Sequence, residues 1–551
     1  MFSAALCGTS DSRPRPRLKS PFRVPILTVV REATIDRPAE LAVAPPRAYS
    51  QALRWLRPSL TDIFLLFAIY WLCIASPGSW QSLLKDGDTG MHLRTGDWIL
   101  AHKQVPVKDI FSYTQPESPW YAFQWGSAVL YSALSSAWGI KAVAFLAGVT
   151  IALWVTVVMQ GMIAMRVHGI LAAVLALAGA NAASIHYLAR PHLFTMLFLA
   201  LSVWLVETDR DRPSWRIWLL APLTVVWTNL HSGFVILFVY LAVVAGGLLL
   251  EHFAGASTLR GVKRYTLVAC VCAAASVVNP YGIRLHLHIL NFLSGPVATG
   301  LVDEYQSPKF RGESQYWFLI LLFGALMLAG FDLLRKRIAD AALILVFGAM
   351  ALVSARNIPL ALTVMLPLAG RALTRIWGKS ARIADRSSAR KTLYLQGASF
   401  AARCSGFTIW AGVVIVAVAW LTPAASWPTG LDAKYFPQKL IQRNDALLGS
   451  ARVFTTDQWG DDLIYLYQGR QRVFVDGRSD FYRPEVMQDY VSMMNGGPHW
   501  KDLLDRYKIE VTLTPVGSPL SSLLTEDKSW TRRDRDADAD IFVRNAPPPA
   551  R

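Results

Sequence analysis

The chain has 551 residues, of which 53% are hydrophobic and only 17% are charged. Soluble globular proteins carry about 25% charged residues, so this composition excludes an ordinary soluble protein, and its long apolar runs indicate a polytopic membrane protein. The net charge of +17 lies in the first 430 residues, because residues 431–551 carry 17 Lys and Arg against 18 Asp and Glu. In a membrane protein such an excess points to cytoplasmic loops and anionic lipid, and not to nucleic acid.

The first 55 residues are rich in Pro and Arg, as in SRPRPRLKSPFR. They lack the apolar core of a cleavable signal peptide. Low apolar content and high charge are typical of disordered chain. We therefore expect 1–55 to be a disordered, basic cytoplasmic tail.

Eleven apolar stretches predict membrane-spanning helices, since a crossing of about 30 Å needs about 20 mostly apolar residues. They lie near 60–78, 141–163, 169–187, 192–207, 215–230, 233–250, 264–279, 315–331, 338–354, 358–377 and 405–424. A further stretch, 121–139, is either a twelfth span or a helix lying in the membrane interface. The interfacial position is favoured, because the connections assigned to the cytoplasm are then nearly all basic. The prediction is a mainly α-helical transmembrane part at 56–427, with the N-terminus inside, the C-terminus outside and a first outer loop at 79–140.

The connections on the outer side of this topology hold most of the Asp, His, Asn and Arg residues beside apolar runs. They read KDGDTGMHLRTG, HYLARPHLF, WTNLHSGF, NPYGIRLHLH, VDEYQSPKF and SARNIP. Ionisable groups next to membrane segments are costly and commonly mark a working site. The pattern therefore predicts a polar site at membrane level on the extracytoplasmic face.

Residues 428–551 have a different composition and predict a small extracytoplasmic α/β domain. The segments ARVFTT, DLIYLY, RVFVDGR, EVTLTP and DIFVR read as short strands, and PEVMQDYVSMMN and WKDLLDRY read as amphipathic helices. The domain contains no Gly-rich phosphate loop. We interpret its Trp459, Asp476 and Arg478 as residues that hold the fold together.

Several motifs, taken in order, resemble GT-C-type membrane glycosyltransferases, and more closely a bacterial group of uncharacterised GT-C-like proteins. They are the acidic pair of KDGDTGMH, RTGDWIL, VPVKDIFSYT, PWYAFQWG, ARPHLFTMLF, WTNLHSGF, NPYG, EYQSP, SARNIPL and DQWGDDLIY with VFVDGRSDFY, and they span roughly 60–545. The resemblance implies an inverting enzyme of the inner membrane and the cell envelope. Its substrates would be a polyprenyl-phosphate-linked sugar and a glycan, lipid or protein acceptor on the extracytoplasmic face.

The resemblance also implies roles for particular residues. Asp86 or Asp88 takes the role of the carboxylate that activates the acceptor hydroxyl. The family pattern has a bulky or aromatic residue near the position of Gly90, and this departure leaves the choice between Asp86 and Asp88 open. A divalent cation, Mg²⁺ or Mn²⁺, is an optional cofactor that Asp86, Asp88 and His92 would hold. The candidates for binding substrate and the phosphate leaving group are His92, Arg94, Asp109, Arg190, His192, Asn229, His231, Arg284, Arg356 and Asn357.

The alternative hypothesis is a transporter, or a non-catalytic lipid- or anion-binding protein that assists surface glycan assembly. The same arginines and histidines would recognise an anion in either case. Transporters often contain internal repeats, and the sequence shows no clear repeat. The long polar first loop and the outer domain favour the transferase.

Overall fold

The structure is a computed structural model that describes residues 55–295, 305–383, 388–404 and 406–545. The predicted tail at 1–55 lies outside these residues except for Trp55. The described residues belong to one compact unit, so the apolar helices and the C-terminal region belong to the same unit. The boundaries predicted within it, and the sidedness of the chain, stay predictions.

Up to residue 421 the described chain is almost entirely helical. The α-helices are α1 (Leu60–Ile69), α2 (Asp88–His102), α3 (Trp125–Trp138), α4 (Lys141–Ala164), α5 (Gly169–Ala182), α6 (His192–Asp211), α7 (Leu220–Leu230), α8 (Val235–Phe253), α9 (Leu259–Ser276), α10 (Ile283–Ser294), α11 (Glu313–Leu333), α12 (Ile338–Val353), α13 (Ile358–Ile383), α14 (Ala389–Arg403) and α15 (Ile409–Leu421). Short 3₁₀ turns at Ser184–His186, Ser232–Phe234 and Ala355–Asn357 interrupt the series. These three turns fall in the polar connections predicted to form the site.

Five described helices are long and apolar enough to cross a membrane, and four shorter apolar helices accompany them. These nine correspond to nine of the eleven predicted spans. The helices that cover 215–230 and 264–279 are not among them, and neither is α3, which covers the predicted interfacial stretch 121–139. The chain is thus a mainly helical protein of the multi-pass membrane type, while the number of crossings stays a prediction.

The entry into α1 shows how local chemistry fixes a helix of this bundle. Ser59 Oγ accepts hydrogen bonds from the backbone N–H groups of Thr61 and Asp62, and Asp62 Oδ2 accepts one from the Ser59 N–H. This reciprocal capping box satisfies donors that the helix itself leaves free. Asp62 Oδ2 also accepts from Thr408 Oγ1 at 2.7 Å, which ties α1 to the residue preceding α15.

The C-terminal region is built around a four-stranded mixed sheet of order β1-β2-β4-β3. Its elements are α16 (Gln438–Arg443), α17 (Asp445–Leu448), β1 (Val453–Phe454), α18 (Asp457–Leu466), α19 (Pro484–Met494), α20 (Trp500–Arg506), β2 (Val511–Pro515), α21 (Pro519–Glu526), β3 (Trp530–Arg535) and β4 (Ala539–Arg544). β1 runs parallel to β2, while β4 is antiparallel to both β2 and β3. The predicted mixture of strands and helices is therefore present.

Two of the predicted strands are wrong. DLIYLY belongs to α18, because Thr456 caps a helix there by accepting the Trp459 N–H, and Leu463 follows Trp459 at helical spacing on the buried side. RVFVDGR forms no strand of the sheet. Instead, Val473 exchanges backbone hydrogen bonds with Phe111 and Tyr113 at 2.9 and 3.1 Å, so this segment joins the C-terminal region to the first loop.

Candidate active site

The site begins with the turn that carries the two predicted carboxylates. Asp86 Oδ1 accepts a hydrogen bond from the Asp88 N–H at 2.9 Å, and the Gly87 N–H donates to Gln458 Oε1 at 2.8 Å. Asp88 is the first residue of α2, a position where a helix stabilises negative charge. Both aspartates are buried, and their turn is held in place from the C-terminal region.

Arg190 bridges the two carboxylates. Its Nη1 lies 3.2 Å from Asp86 Oδ2, and its Nη2 lies 2.5 Å from Asp88 Oδ2. The neighbouring backbone is fixed to the first loop, since the Ala189 N–H donates to the Leu83 carbonyl and Thr89 Oγ1 donates to the Ala189 carbonyl. Two close carboxylates disfavour each other's ionisation, and a cation between them removes this penalty.

A cavity of about 400 Å³ opens beside this ion pair. Among the described residues that line it are seven that the sequence predicted, and they come from four distant segments: Asp88 and His92, Arg190 and His192, His231, and Arg356 and Asn357. Asp86 does not line the cavity but reaches it through Arg190. The structure thus brings residues some 270 positions apart to one space.

His231 has a defined tautomer. Its Nδ1 accepts the Gly233 backbone N–H at 3.0 Å and also meets Thr195 Oγ1 at 2.8 Å, while Thr195 Oγ1 accepts from Trp227 Nε1. A backbone N–H can only donate, so the neutral ring carries its proton on Nε2. His231 therefore offers a hydrogen-bond donor that no other described residue uses.

Arg356 is held by an aromatic side chain on the cavity wall. Its Nη1 donates to Tyr305 Oη at 2.7 Å, and its guanidinium lies 5.1 Å from the centre of the Tyr305 ring. The preceding backbone is anchored because His186 Nε2 donates to the Ala355 carbonyl at 3.0 Å, and His192 Nε2 in turn donates to the His186 carbonyl at 2.8 Å. Arg356 keeps further N–H groups for a ligand.

His92 lies one helical turn beyond Asp88 and is buried against the edge of Tyr131. Burial, followed by the positive charge of Arg190, lowers the pKa of His92 to about 3. The ring is therefore neutral at ordinary pH. It can exchange hydrogen bonds with a ligand but does not add a positive charge to the site.

Besides Asp86 and Asp109, three predicted residues lie outside the cavity lining. Arg94 donates from Nε and Nη2 to the Tyr465 carbonyl at 2.9 and 2.8 Å, which ties α2 to α18. Asn229 Oδ1 accepts from Trp125 Nε1 at 2.9 Å and so fixes a ring that does line the cavity. Arg284 is exposed on α10. A direct contact of these three with substrate is not supported by their positions.

Asp109 is also placed away from the lining, in a buried ion pair between the first loop and the C-terminal region. Arg478 Nη2 lies 2.8 Å from Asp109 Oδ1 and 2.6 Å from Asp476 Oδ2. Asp109 accepts the backbone N–H groups of Phe111 and Ser112 as well. Asp109 therefore connects the first loop to the C-terminal region. Arg478, for which the sequence favoured a role in folding over one in substrate binding, lines the cavity.

The C-terminal region contributes a carboxyl group and a glycine that the sequence analysis did not place at the site. A Cβ on Gly477 would collide with the carboxylates of Asp88 and Asp461, and the Gly477 N–H donates to Asp461 Oδ2 at 3.1 Å. Burial, followed by the charge of Asp88, raises the pKa of Asp461 well above its usual range. Only glycine at position 477 lets this turn approach Asp88. In the sequence, the motif DQWGDDL was the one sign that a further carboxyl group, that of Asp461, belongs to the site.

The residues named for a divalent cation do not fit one as they stand. Both Oδ2 atoms of Asp86 and Asp88 are bound by Arg190, and Asp86 Oδ1 already accepts a backbone N–H. Among the described residues, no three His, Cys, Asp or Glu side chains converge as metal ligands do. Arg190 thus occupies one oxygen of each carboxylate that a cation would need.

Solved structures with a similar fold are membrane glycosyltransferases. The apo oligosaccharyltransferase of Archaeoglobus fulgidus matches with a TM-score of 0.55 at 10% identity, over 83% of this chain and 69% of that one. AglB from the same organism, in complex with an inhibitory peptide and a dolichol-phosphate, matches with a TM-score of 0.55 at 11% identity over the same shares. ArnT from Cupriavidus metallidurans bound to undecaprenyl phosphate has a TM-score of 0.45 at 13% identity, over 89% of this chain and 98% of that one.

No protein-family model matches the sequence, and neither does any curated protein. At 10–11% identity the likeness to the archaeal enzyme concerns the fold alone. The fold of this chain is that of the GT-C-type membrane glycosyltransferases, as the sequence resemblance predicted.

Proposed function

We propose that the chain is an inverting glycosyltransferase of the bacterial inner membrane that takes a sugar from a polyprenyl-phosphate carrier and transfers it to an acceptor on the extracytoplasmic face. The observation that carries the proposal is the composition of the cavity. It contains a buried carboxylate at Asp88 and, from separate segments, the donors of Arg356 and His231. A transferase needs this combination, because it must accept a proton and stabilise a leaving phosphate at once.

Asp88 is the proposed general base, since it lines the cavity and Asp86 does not. It takes the proton of the acceptor hydroxyl as the hydroxyl oxygen attacks the anomeric carbon. The bond from that carbon to the carrier phosphate breaks, and its electron pair leaves with the phosphate. One in-line displacement inverts the anomeric configuration. Asp86 and Arg190 hold Asp88 in place during this step.

Arg356, its partner Tyr305 and the Nε2–H of His231 are proposed to bind the phosphate. Hydrogen bonds to an ionised phosphate are charge-assisted and therefore of the strong kind, and fixed donors stabilise the charge that develops on the leaving group. Much of the remaining lining is apolar and suits a prenyl chain: Val235, Ile236, Val239, Phe292, Leu293 and Leu360. The carrier would thus enter from the lipid side.

The test is transfer from a panel of polyprenyl-phosphate sugars by the purified protein in nanodiscs. Asp88→Asn keeps the size of the side chain and removes the base, so turnover should fall by about 10²–10⁴-fold. Asp86→Asn should also lower it, through the position of Asp88. Asp502→Asn, at an exposed site of α20, is the matched control and should leave turnover unchanged. Near-normal turnover by Asp86→Asn, Asp88→Asn and the double variant would contradict the proposal and favour a transporter.

A further inference from the structure

A hydrogen-bonded pair on the cavity wall connects α10 to the C-terminal region. His288 Nε2 lies 2.9 Å from Asp480 Oδ2. The His288 ring stacks on Tyr121 with 4.5 Å between ring centres and 23° between ring planes, and Phe123 lies 6.1 Å away. All four side chains line the same cavity as Asp88. The mechanism proposed above uses none of them.

This pair retains unused hydrogen-bonding atoms. No described residue donates to Asp480 Oδ1, and none engages His288 Nδ1, although the two side chains are only 14% and 18% exposed. Neither atom is sealed from solvent, and both side chains line the cavity. Their position on a cavity wall points to a ligand that supplies the missing partners.

We propose that Tyr121, His288 and Asp480 form a subsite for a saccharide ring, a proposal that rests on the transferase function. An aromatic ring offers an apolar face to the C–H groups of a sugar, and Asp480 can accept charge-assisted hydrogen bonds from its hydroxyls. The location suits this role, because Asp480 is three residues from Gly477, which contacts Asp88. The bound ring belongs either to the sugar on the carrier or to a saccharide acceptor.

The adjoining wall supports a flat, partly apolar ligand at this place. Trp120 and Trp125, from the same segment as Tyr121, line the cavity too. The Arg478 guanidinium covers the Trp120 ring at 4.5 Å, and the Trp125 indole is held by Asn229. Rigid aromatic walls with few polar groups are typical of small-ligand sites that select by shape and by hydroxyl position. The saccharide would therefore be recognised by a rigid wall.

The test compares lipids with and without a sugar. Asp480→Asn and Tyr121→Leu are purified in nanodiscs, with Asp502→Asn as control. The kinetics use whichever polyprenyl-phosphate hexose, pentose or amino sugar supports wild-type transfer, and binding of sugar-free undecaprenyl phosphate is measured in parallel. Losing one hydrogen bond to a charged group should raise the KM for the saccharide substrate by about 10–100-fold. Affinity for sugar-free undecaprenyl phosphate should stay within about twofold of wild type, because that lipid makes no such bond.

The result identifies which ring is bound. A higher KM for the carrier-linked sugar places the transferred sugar at Asp480, and a higher KM for the acceptor places an acceptor saccharide there. Unchanged KM values for both substrates, or an equal loss of affinity for sugar-free undecaprenyl phosphate, would overturn the subsite.

If Asp480→Asn does not fold, His288→Gln, which keeps a donor toward Asp480, is measured in the same way. Absence of transfer by the wild type from every donor would instead refute the transferase. In that case the subsite is tested by binding: the variants should lose affinity for sugar-bearing lipid and keep their affinity for sugar-free lipid.

Discussion

Asp88 contacts groups of opposite character on two sides. Arg190 compensates its negative charge at 2.5 Å, while the buried carboxyl group of Asp461 approaches it across Gly477. Burial and the charge of Asp88 both raise the pKa of Asp461, so a proton shared by these two carboxyl groups is favoured on Asp461. The adjacent Arg190 guanidinium favours the charged form of a carboxylate, and that is the form a general base needs.

The neutral state of His92 leads to a prediction about acid sensitivity. Burial and the charge of Arg190 lower its pKa to about 3 from an ordinary 6.5. Between these values the unfolded chain binds a proton that the folded chain does not, so stability is present above pH 6.5 and is lost as pH falls toward 3. The loss approaches roughly 1.4 kcal/mol per pH unit below 6. His92→Gln should remove this contribution.

The measurement is the unfolding temperature of both proteins in detergent at several pH values between 7.5 and 4.5. Relative to wild type, His92→Gln should gain stability steadily as the pH is lowered. His499→Gln, at a mostly exposed position, is the control and should run parallel to wild type. A difference between His92→Gln and wild type that is the same at every pH would contradict the account.

A buried network of charged side chains lies at the opposite end of α6 from His192. Glu207 of α6 accepts hydrogen bonds from Arg210 at 2.7 Å and from Tyr240 of α8 at 2.9 Å. Arg210 also pairs with Asp340 of α12 at 2.8 Å, and Arg371 of α13 lies 3.3 Å from Glu207. Four helices therefore share one buried network. It holds together the helices from which the cavity residues project.

Removing one charge from this network should destabilise the bundle. Glu207→Gln keeps the shape but leaves Arg210 and Arg371 undercompensated, and breaking a buried ion pair costs about 3–5 kcal/mol. Asp211→Asn is a matched control, because Asp211 is 45% exposed and lies 3.8 Å from Arg371. Its effect should be at most about 1 kcal/mol. Equal shifts of the unfolding temperature in the two variants would show that burial of Glu207 does not matter.

The elements differ in how far the sequence predicts them. Long apolar runs such as Lys141–Ala164 are unambiguous, since both length and composition indicate a helix. DLIYLY was misread because six residues with alternating character fit a strand as well as a helix, and the deciding cap at Thr456 lies outside the segment. RVFVDGR has the composition of a strand, but its partner is in the first loop, and a local pattern does not reveal a distant partner.

At the scale of the whole molecule, the site depends on contacts between the first loop and the C-terminal region. Gln458 holds the turn at Gly87, Arg478 pairs with Asp109, and Gly477 meets Asp88. Each contact joins residues about 370 to 390 positions apart. The sequence predicted the polar residues beside apolar runs because their membrane-level position is costly. It missed Asp461, His288 and Asp480, because nothing in local spacing indicates which distant segment will cover a site.

The direction of the chain in the membrane is a separate prediction. The basic connections place the segment around Lys391 in the cytoplasm and the region after Leu431 outside. Reporter fusions placed after Lys391 and after Leu431 should therefore report opposite sides. The helix α15 between them is one of the shorter apolar helices. Reporters on the same side would contradict the topology, and with it the extracytoplasmic position of the site.

The central claim is that one cavity contains both a general base and a separate site for the carrier phosphate. It is tested most directly by measuring turnover and carrier affinity for one variant of the base and one variant of the phosphate site. Asp88→Asn should lose about 10²–10⁴-fold in turnover while binding undecaprenyl phosphate within about twofold of wild type. Arg356→Gln should bind undecaprenyl phosphate about 10–100-fold more weakly, because it loses a charge-assisted contact. Unchanged turnover in Asp88→Asn, or unchanged carrier affinity in Arg356→Gln, would contradict the account.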